Sequence, residues 1–599
     1  MIILLLTLVV VGATAYVWST RGFFSALIHM LCTLAAGAIA FGVWEPVGYA
    51  LLNASPDRGF FSFLSGIAWG LALALPFSIA LAILRVAVDK LLPANAQCDT
   101  AADYIGGAVC GGVAGVISGG IMILSIGYLR VGPDFGGYRP INYTSGVARG
   151  SLEASKETFV PWVDRIAAGL YERLSLTTLR TGEPLAKWHP NLVTEPGALR
   201  TTYDGKSRNT YTKGAFSLLG TYTVGDPARG EKLEYLLSDS WDDVPQKISD
   251  LSGESPTTGY IAGFIVKLTS MAREKTGQIV IGNGQIRLVC GNDENEEYIA
   301  AHPIAVVTNV EDPTKVEYAR FRYNSDDLFI ASAGGASEAT MAFEFPVPTG
   351  FKPIALYVKG VRVNLEEQPQ PTNFENTILR DEMIRSGQMA GMGNVGPILD
   401  PVTGQPVPGI PNQVAFGPGI MVSNALGFMI QKGTERGLEV AEEGRGWTVR
   451  DGEVKLTSQQ LRGATSGLDP KLQINRFSTT DDTVIVKVDV SPSRRTPDFT
   501  KLMDLAEKGV PPTLIDTNGT KYEAVGFLYK DSSITQLRFT KGQPLKGMGD
   551  APSVSRSTPD RQLTLVFVVS LGVQISEFRI GNSVIETYTP PVKCDQRQK

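Results

Sequence analysis

The sequence predicts an α+β membrane protein: an N-terminal bundle of four transmembrane helices followed by a β-rich soluble region with two β-sandwich-like modules. Three observations predict it. Four long apolar runs crowd into the first 130 residues, the fourth run carries a glycine at every fourth position, and short β-branched segments dominate from Ile279 onward.

The apolar runs cover residues 2–18, 23–44, 60–84 and 105–129. Each is close to the ~20 residues needed to cross a hydrocarbon core and is almost free of charge. Buried helices of soluble proteins are usually shorter, so four such runs in succession read as membrane spans. Ala13-Thr14-Ala15 has the small residues of a signal-peptide cleavage site, but no basic stretch precedes that run. It reads as a retained span. In the fourth run, Gly107, Gly111, Gly115 and Gly119 share one helical face. Lipid gives little hydrophobic drive for helix association, and close backbone approach along small residues supplies dispersion contacts instead. These four glycines are therefore the expected helix-packing residues, against another span or another subunit.

Orientation rests on flanking cations. Arg21, Arg85 and Lys90 lie in loops on one side, and Arg58, Arg130 and Arg139 on the other, where Glu45 and Asp57 oppose Arg58. The positive-inside count is nearly even, and both termini are read as lying outside the cytoplasm.

The turn Arg21-Gly22-Phe23-Phe24 after Tyr16, and the stretch Asp103-Tyr104-Ile105-Gly106-Gly107 leading to Gly111 and Gly115, resemble the colicin V production protein family. The resemblance covers the first 130 or so residues, and Arg21, Gly22 and Phe23 form its membrane-loop motif. It departs from the family at residues 1–6, which lack the acidic residue that members often carry early in the first span. The resemblance implies a multi-pass protein of the bacterial inner membrane, linked to production or export of a peptide toxin and to envelope homeostasis, without established catalytic chemistry. Some proteins with a similar helix block continue into an extracytoplasmic trypsin-like protease.

The residues argue against that protease. Ala300-Ala301-His302 is similar to the sequence around a trypsin-like general base, but no Gly-Asp-Ser-Gly follows; Gly549-Asp550 leads into Ala551. A triad needs a nucleophile with backbone donors beside it, and Pro303 suits a strand edge or turn. His302 reads as structural. The three histidines, His29, His189 and His302, have no zinc-helix spacing. Asp239, Asp242 and Asp243 lack the ligand alternation of a calcium loop. Gly282-Asn283-Gly284 reads as a hairpin turn. No enzyme activity, metal or other cofactor is expected.

Residues 131–277 read as a connector, with a helix over 151–180 carrying Trp162, Ile166, Ala167, Leu170 and Leu174, and a short helix over 261–274. The first module is expected over 278–366, a Gly/Pro-rich linker and connector over 367–470, and the second module over 471–592. Within the linker, 387–418 is too poor in apolar residues to offset chain entropy, and Met389 and Met392 are its adaptable contacts. An internal duplication relates the modules. Lys315-x-Glu317-x-x-x-Phe321-x-Tyr323 recurs as Lys521-x-Glu523-x-x-x-Phe527-x-Tyr529, displaced by 206 positions (521 − 315). Phe345-x-Val347-x-x-Gly350 recurs as Phe567-x-Val569-x-x-Gly572, displaced by 222 (567 − 345). The repeated glycine marks a turn before a strand over 354–358 or 575–580.

Cys32 and Cys110 lie in spans and Cys98 in a membrane loop, which leaves Cys290 and Cys594 as a possible disulfide if the soluble region is in an oxidising compartment. A net charge of −5 without a basic stripe argues against nucleic acid. The expected partners are the bilayer, a second copy or other membrane proteins, and an envelope protein. The sequence supports a non-catalytic scaffold, with an oligomeric channel or transport component as the alternative.

Overall fold

The computed structural model describes residues 2–55, 60–91, 99–129, 136, 138, 140–141, 162–180, 182–200, 208–233, 258–274, 277–292, 294–312, 315–323, 328–329, 338–385, 419–431, 433–444, 446–458, 460, 470–491, 510–554, 558, 560–581 and 583–595. Arg58, Cys98, Arg130, Arg139, Asp239, Asp242, Asp243 and the segment 387–418 with Met389 and Met392 lie outside the described residues.

Among the described residues, four helices are long and apolar enough to cross a membrane: α1 (Ile2–Ser19), α2 (Phe23–Ala54), α3 (Ala68–Leu91) and α4 (Thr100–Gly127). The third starts later than its apolar run, because Phe60–Gly66 forms a 3-10 segment ahead of it. Ser65 and Gly66 favour non-helical backbone at that point. At 1.5 Å per residue, the 32 residues of α2 span about 48 Å, against a hydrocarbon core of ~30 Å. Its last turns, from Glu45 onward, therefore reach beyond the apolar run. Leu5, Val9, Ile79, Ile83, Ile105 and Val109 are each more than half exposed, an apolar outer belt that suits lipid.

Glycine sets the closest helix contacts. A Cβ on Gly107 would sit 2.5 Å from the Trp18 carbonyl oxygen, and one on Gly111 2.9 Å from that of Thr14. A Cβ on Gly115 would meet Val11 Cα at 3.0 Å, and one on Gly119 would meet Thr7 Cγ2 at 3.6 Å. The stripe thus faces α1 of the same chain. Helix α2 packs on α3 and α4. A fifth helix, α5 (Val163–Leu176), lies against α4 and α2, and its Tyr171 hydroxyl donates to the Leu34 carbonyl at 3.1 Å.

Two short helices follow, α6 (Leu185–Trp188) and α7 (Glu195–Arg200). A seven-stranded sheet then runs in spatial order Thr372–Phe374, Phe216–Val224, Thr258–Leu268, Ala339–Pro348, Ala305–Asp312 and Lys315–Arg322, with Glu231–Lys232 beside Thr258–Leu268. A four-stranded sheet is ordered Val361–Asn364, Lys352–Val358, Ile286–Asn292 and Glu297–Ala301. Phe264, Val266, Phe343 and Phe345 of the first meet Leu288, Cys290, Leu356 and Val358 of the second in one core. The helix expected over 261–274 is therefore a strand, Thr258–Leu268. Ile261, Phe264, Ile265 and Leu268 have helical spacing, but this central strand is buried on both faces, which removes the period-two signal. Gly282-Asn283-Gly284 is not a hairpin turn: Asn283–Gln285 forms a 3-10 turn, and Ile281–Gly282 pairs with Leu328–Phe329. After Thr372–Phe374 comes α8 (Thr377–Arg385).

The second region is a twelve-stranded curled sheet that includes strands from Gly419–Val422 to Ser583–Lys593, so it takes in part of the expected connector. Its pairing repeats that of the first. Thr258–Leu268 pairs with Ala339–Pro348 as Thr483–Asp489 does with Gln562–Ser570. Lys352–Val358 joins Ile286–Asn292 to Val361–Asn364 as Gln574–Ile580 joins Pro512–Asp516 to Ser583–Lys593. The continuous strand Lys521–Lys530 corresponds to Glu297–Ala301 plus Ala305–Asp312, a strand interrupted at His302-Pro303, where proline cannot donate to the ladder.

Register fixes the correspondence. Leu288 opposes Ala301 as Leu514 opposes Tyr522, and Phe343 opposes Val306 as Leu565 opposes Phe527. Ala301 thus matches Tyr522, and Val306 matches Phe527, both 221 positions apart (522 − 301; 527 − 306). The 222-residue displacement agrees with this register, and Gly350 and Gly572 both adopt turn conformations with φ 87° and 91°. The 206-residue displacement does not agree. It equates the edge strand Lys315–Arg322 with Lys521–Lys530, whereas the pairing equates it with Ile534–Phe539. Period-two strands resemble one another enough to produce that mismatch.

Gly111→Ile is expected to lower resistance to unfolding in mixed detergent micelles by at least about 1–3 kcal/mol, the usual cost of overpacking. Gly112→Ile, whose added Cβ meets nothing closer than 3.9 Å, is the matched control and is expected to be mild.

Candidate functional site

The structure concentrates buried charge where the end of α2 meets the first β region. Glu45 follows the last apolar residue, Trp44, and its side chain is only 15% exposed. Arg362, on the strand Val361–Asn364, places Nη1 2.8 Å from Glu45 Oε2. The Tyr357 hydroxyl, on the neighbouring strand, donates to Glu45 Oε1 at 3.0 Å. His189, which ends α6, sets Nε2 3.2 Å from the same oxygen and Nδ1 2.8 Å from Glu195 Oε2 at the start of α7. Arg287 of Ile286–Asn292 brings Nη1 to 3.0 Å from Glu195 Oε2 and Nη2 to 3.2 Å from His189 Nδ1. Six elements converge on five ionic groups that water scarcely reaches.

Aromatic rings enclose them. Trp44 donates its indole N–H to the Trp69 carbonyl at 3.0 Å, and its ring centroid lies 4.6 Å from that of His189 and 5.0 Å from that of Tyr128. Arg287 lies 4.0 Å over the Tyr357 ring, and Arg362 4.0 Å over that of Trp188. Tyr49 accepts the Arg362 backbone N–H at 2.9 Å. The Lys359–Gly360 hairpin tip completes the contact: Gly360 has φ 76°, and a Cβ there would meet Trp69 Nε1 at 2.8 Å. Lys359 is itself buried, with Nζ 3.0 Å from Glu274 Oε1. Tryptophan and tyrosine suit a membrane border, where one end of the ring is apolar and the other wet.

The electrostatics follow from that geometry. Burial favours a neutral Glu195, but the Arg287 and His189 charges outweigh it and hold the carboxyl below the usual range. Burial likewise favours a neutral His189, yet the Glu195 and Glu45 carboxylates keep it above its ordinary value. Glu172 on α5, which feels both groups, is pushed by burial up to about 7. A second buried cluster ties α8 to the seven-stranded sheet: Glu344 accepts from Arg320 at 2.6 Å, Arg380 at 3.3 Å and the Tyr222 hydroxyl at 2.9 Å.

A cavity of about 10 Å³ beside the junction is bounded by Glu195, Arg287, His302 and Tyr357, room for about one water. His302 places Nδ1 2.8 Å from the Ile286 carbonyl, and burial lowers it to about 4. Among the described residues, no group of three or more His, Cys, Asp or Glu side chains is arranged to hold a metal.

The structure brings the two membrane motifs together. Gly22 adopts φ 89°, the Phe23 N–H donates to Asp103 Oδ1 at 3.1 Å, and a Cβ on Gly106 would meet the Phe23 ring at 2.5 Å. The guanidinium carbons of Arg21 and Arg85 lie 5.3 and 4.9 Å from the Trp18 ring centroid. Cys290 and Cys594 do not pair. Each is a free thiol buried in the core of a different β region, and burial pushes the Cys594 thiol up to about 12. The junction itself escaped sequence reasoning, although Glu45-Pro46 directly after an apolar run was its one local signal.

Compared with known proteins, the chain matches no family model, no curated protein and no solved structure.

Glu45→Ala leaves the Arg362 charge mostly buried and short of its carboxylate, and is expected to destabilise the docked structure by about 3 kcal/mol, the lower end for a broken buried pair. Chemical denaturation in lipid nanodiscs reads this, and a loss under about 1 kcal/mol would mark Glu45–Arg362 as equivalent to a surface pair.

Proposed function

We propose that this chain is an integral membrane scaffold of the colicin V production type in the bacterial inner membrane, with two β-sandwich-like modules that bind envelope proteins outside the cytoplasm. The observation that carries this reading is the buried junction of Glu45, His189, Glu195, Arg287 and Arg362. Such a junction holds the helix bundle and the first module as one body, the arrangement a scaffold needs to keep a binding surface at fixed height above the bilayer. Membership of the colicin V production type rests on Arg21-Gly22-Phe23 and Asp103 to Gly107, which meet at one end of the bundle. A role in toxin production or export follows from that resemblance alone. We place the end of the bundle that bears Arg21, Arg85 and Lys90, opposite Glu45, on the cytoplasmic side.

Fusions at Lys599 test the orientation. Alkaline phosphatase is expected to be active there and a fluorescent protein dark. A bright fluorescent fusion with a silent phosphatase would put the β regions in the cytoplasm and remove the envelope-binding reading.

A further inference from the structure

We propose that His189 is a proton-operated latch between the membrane helices and the first β region: charged, it bridges Glu45 to Glu195, and neutral, it releases one of them so that the β region loosens from α2. The inference rests on the scaffold reading of this same junction and adds its regulation.

The geometry carries it. A neutral imidazole has one N–H, yet both His189 nitrogens face carboxylate oxygens, at 2.8 Å and 3.2 Å. Only the imidazolium donates to both. Once a proton leaves, one ring lone pair confronts an oxygen of Glu195 or Glu45. Arg287 Nη2 lies 3.2 Å from Nδ1 while its Nη1 pairs with Glu195, so a neutral ring can accept from Arg287 at Nδ1, but the 2.8 Å contact between Nδ1 and Glu195 then has no proton in it. Glu45 belongs to α2, while Glu195 on α7 pairs with Arg287 of the first β region, so losing the bridge acts across the docking surface.

Every packed element contributes a charged or titratable group. Glu45 and Tyr49 come from α2, Glu172 from α5, Glu195 from α7, and Tyr128 from just beyond α4. The strands add Arg287, Tyr357 and Arg362. Glu195, held low, stabilises the junction above about pH 4.5, and that contribution fades as the pH falls through its folded value. His189, held high, contributes fully below about pH 6.5, and its share is lost as the pH rises through its folded value. Glu172, raised to about 7, costs the junction stability as the pH climbs from its ordinary value near 4.5 to about 7. Glu172 weakens docking between about pH 4.5 and 7 and His189 above about pH 6.5, so the junction is tightest near pH 4.5 and loosens as the pH rises.

Hydrogen exchange of the full chain in lipid nanodiscs, corrected for intrinsic rate, tests the latch. Between about pH 5.5 and 8.5, protection of peptides covering 185–200 and 352–364 is expected to fall about tenfold, equivalent to ~1.4 kcal/mol. A peptide covering 562–570 is expected to stay unchanged. His189→Gln, which carries no titrating charge, is expected to lose most of that step. A flat wild-type profile, or a full step retained in H189Q, overturns the latch. If H189Q also loses protection at 562–570, ring-nitrogen NMR of the wild-type histidines decides instead: two protonated nitrogens at His189 at about pH 6 support the latch, and one overturns it. These readouts do not depend on which side of the membrane the β regions occupy, so their failure is distinct from failure of the phosphatase fusion.

Discussion

A carboxylate at the end of a membrane helix is the constraint around which the chain is arranged. Glu45 follows an apolar run on an over-long helix and is mostly buried, where an unpaired charge is too costly to keep. Arg362, Tyr357 and His189 supply its partners, and each stands on a separate element. Satisfying Glu45 therefore requires the first β region to sit on the bundle in one orientation. The hairpin tip at Gly360 and the rings of Trp69, Trp44 and Tyr49 fill the remaining contact. Hydrophobic area alone would permit sliding; charge pairs at fixed distances do not.

The membrane part solves a different problem. Lipid supplies little drive for apolar faces to meet, so helices gain by approaching closely along small residues. The Gly107–Gly119 stripe lets α1 lie against α4, and Gly37 and Gly48 admit Tyr171 and Trp69. Each β region keeps its own core, and the two cores are built on one pairing scheme. In the first, the scheme is interrupted at His302-Pro303, and the same sheet carries Arg287, Tyr357 and Arg362 on the face towards the membrane. Their register counterparts in the second, Thr513, Arg579 and Val584, lack that charge pattern. The two β regions thus share a pairing scheme and differ in the charges that the first presents to the helix bundle.

Much of this was legible in the sequence where the signal is local. Run length announces a membrane helix, a four-residue glycine step announces a packing face, and Gly350 and Gly572 announce turns. Long-range signals were harder. Glu45 and Tyr357 are 312 positions apart, and nothing in either segment specifies the other. The strand Thr258–Leu268 has two buried faces and so lacks alternation, which let helical spacing win. The 206-residue match fell on two strands of similar pattern and different place, whereas the 222-residue match fell on equivalent strands because Phe, Val and a turn glycine coincided. Cys290 and Cys594 were linked by elimination, and elimination carries no distance.

The most direct test of docking through Glu45 is a distance measured across it. Ala50 on α2 and Glu367 beyond the strand Val361–Asn364 are both exposed and can carry spin labels without entering the junction. Pulsed electron resonance of the doubly labelled chain in lipid nanodiscs, at mildly acidic pH, is expected to give one narrow distance distribution that broadens when Glu45 is replaced by alanine. A distribution already broad in the parent chain, or one indifferent to the substitution, would contradict a bundle and β region locked by that carboxylate.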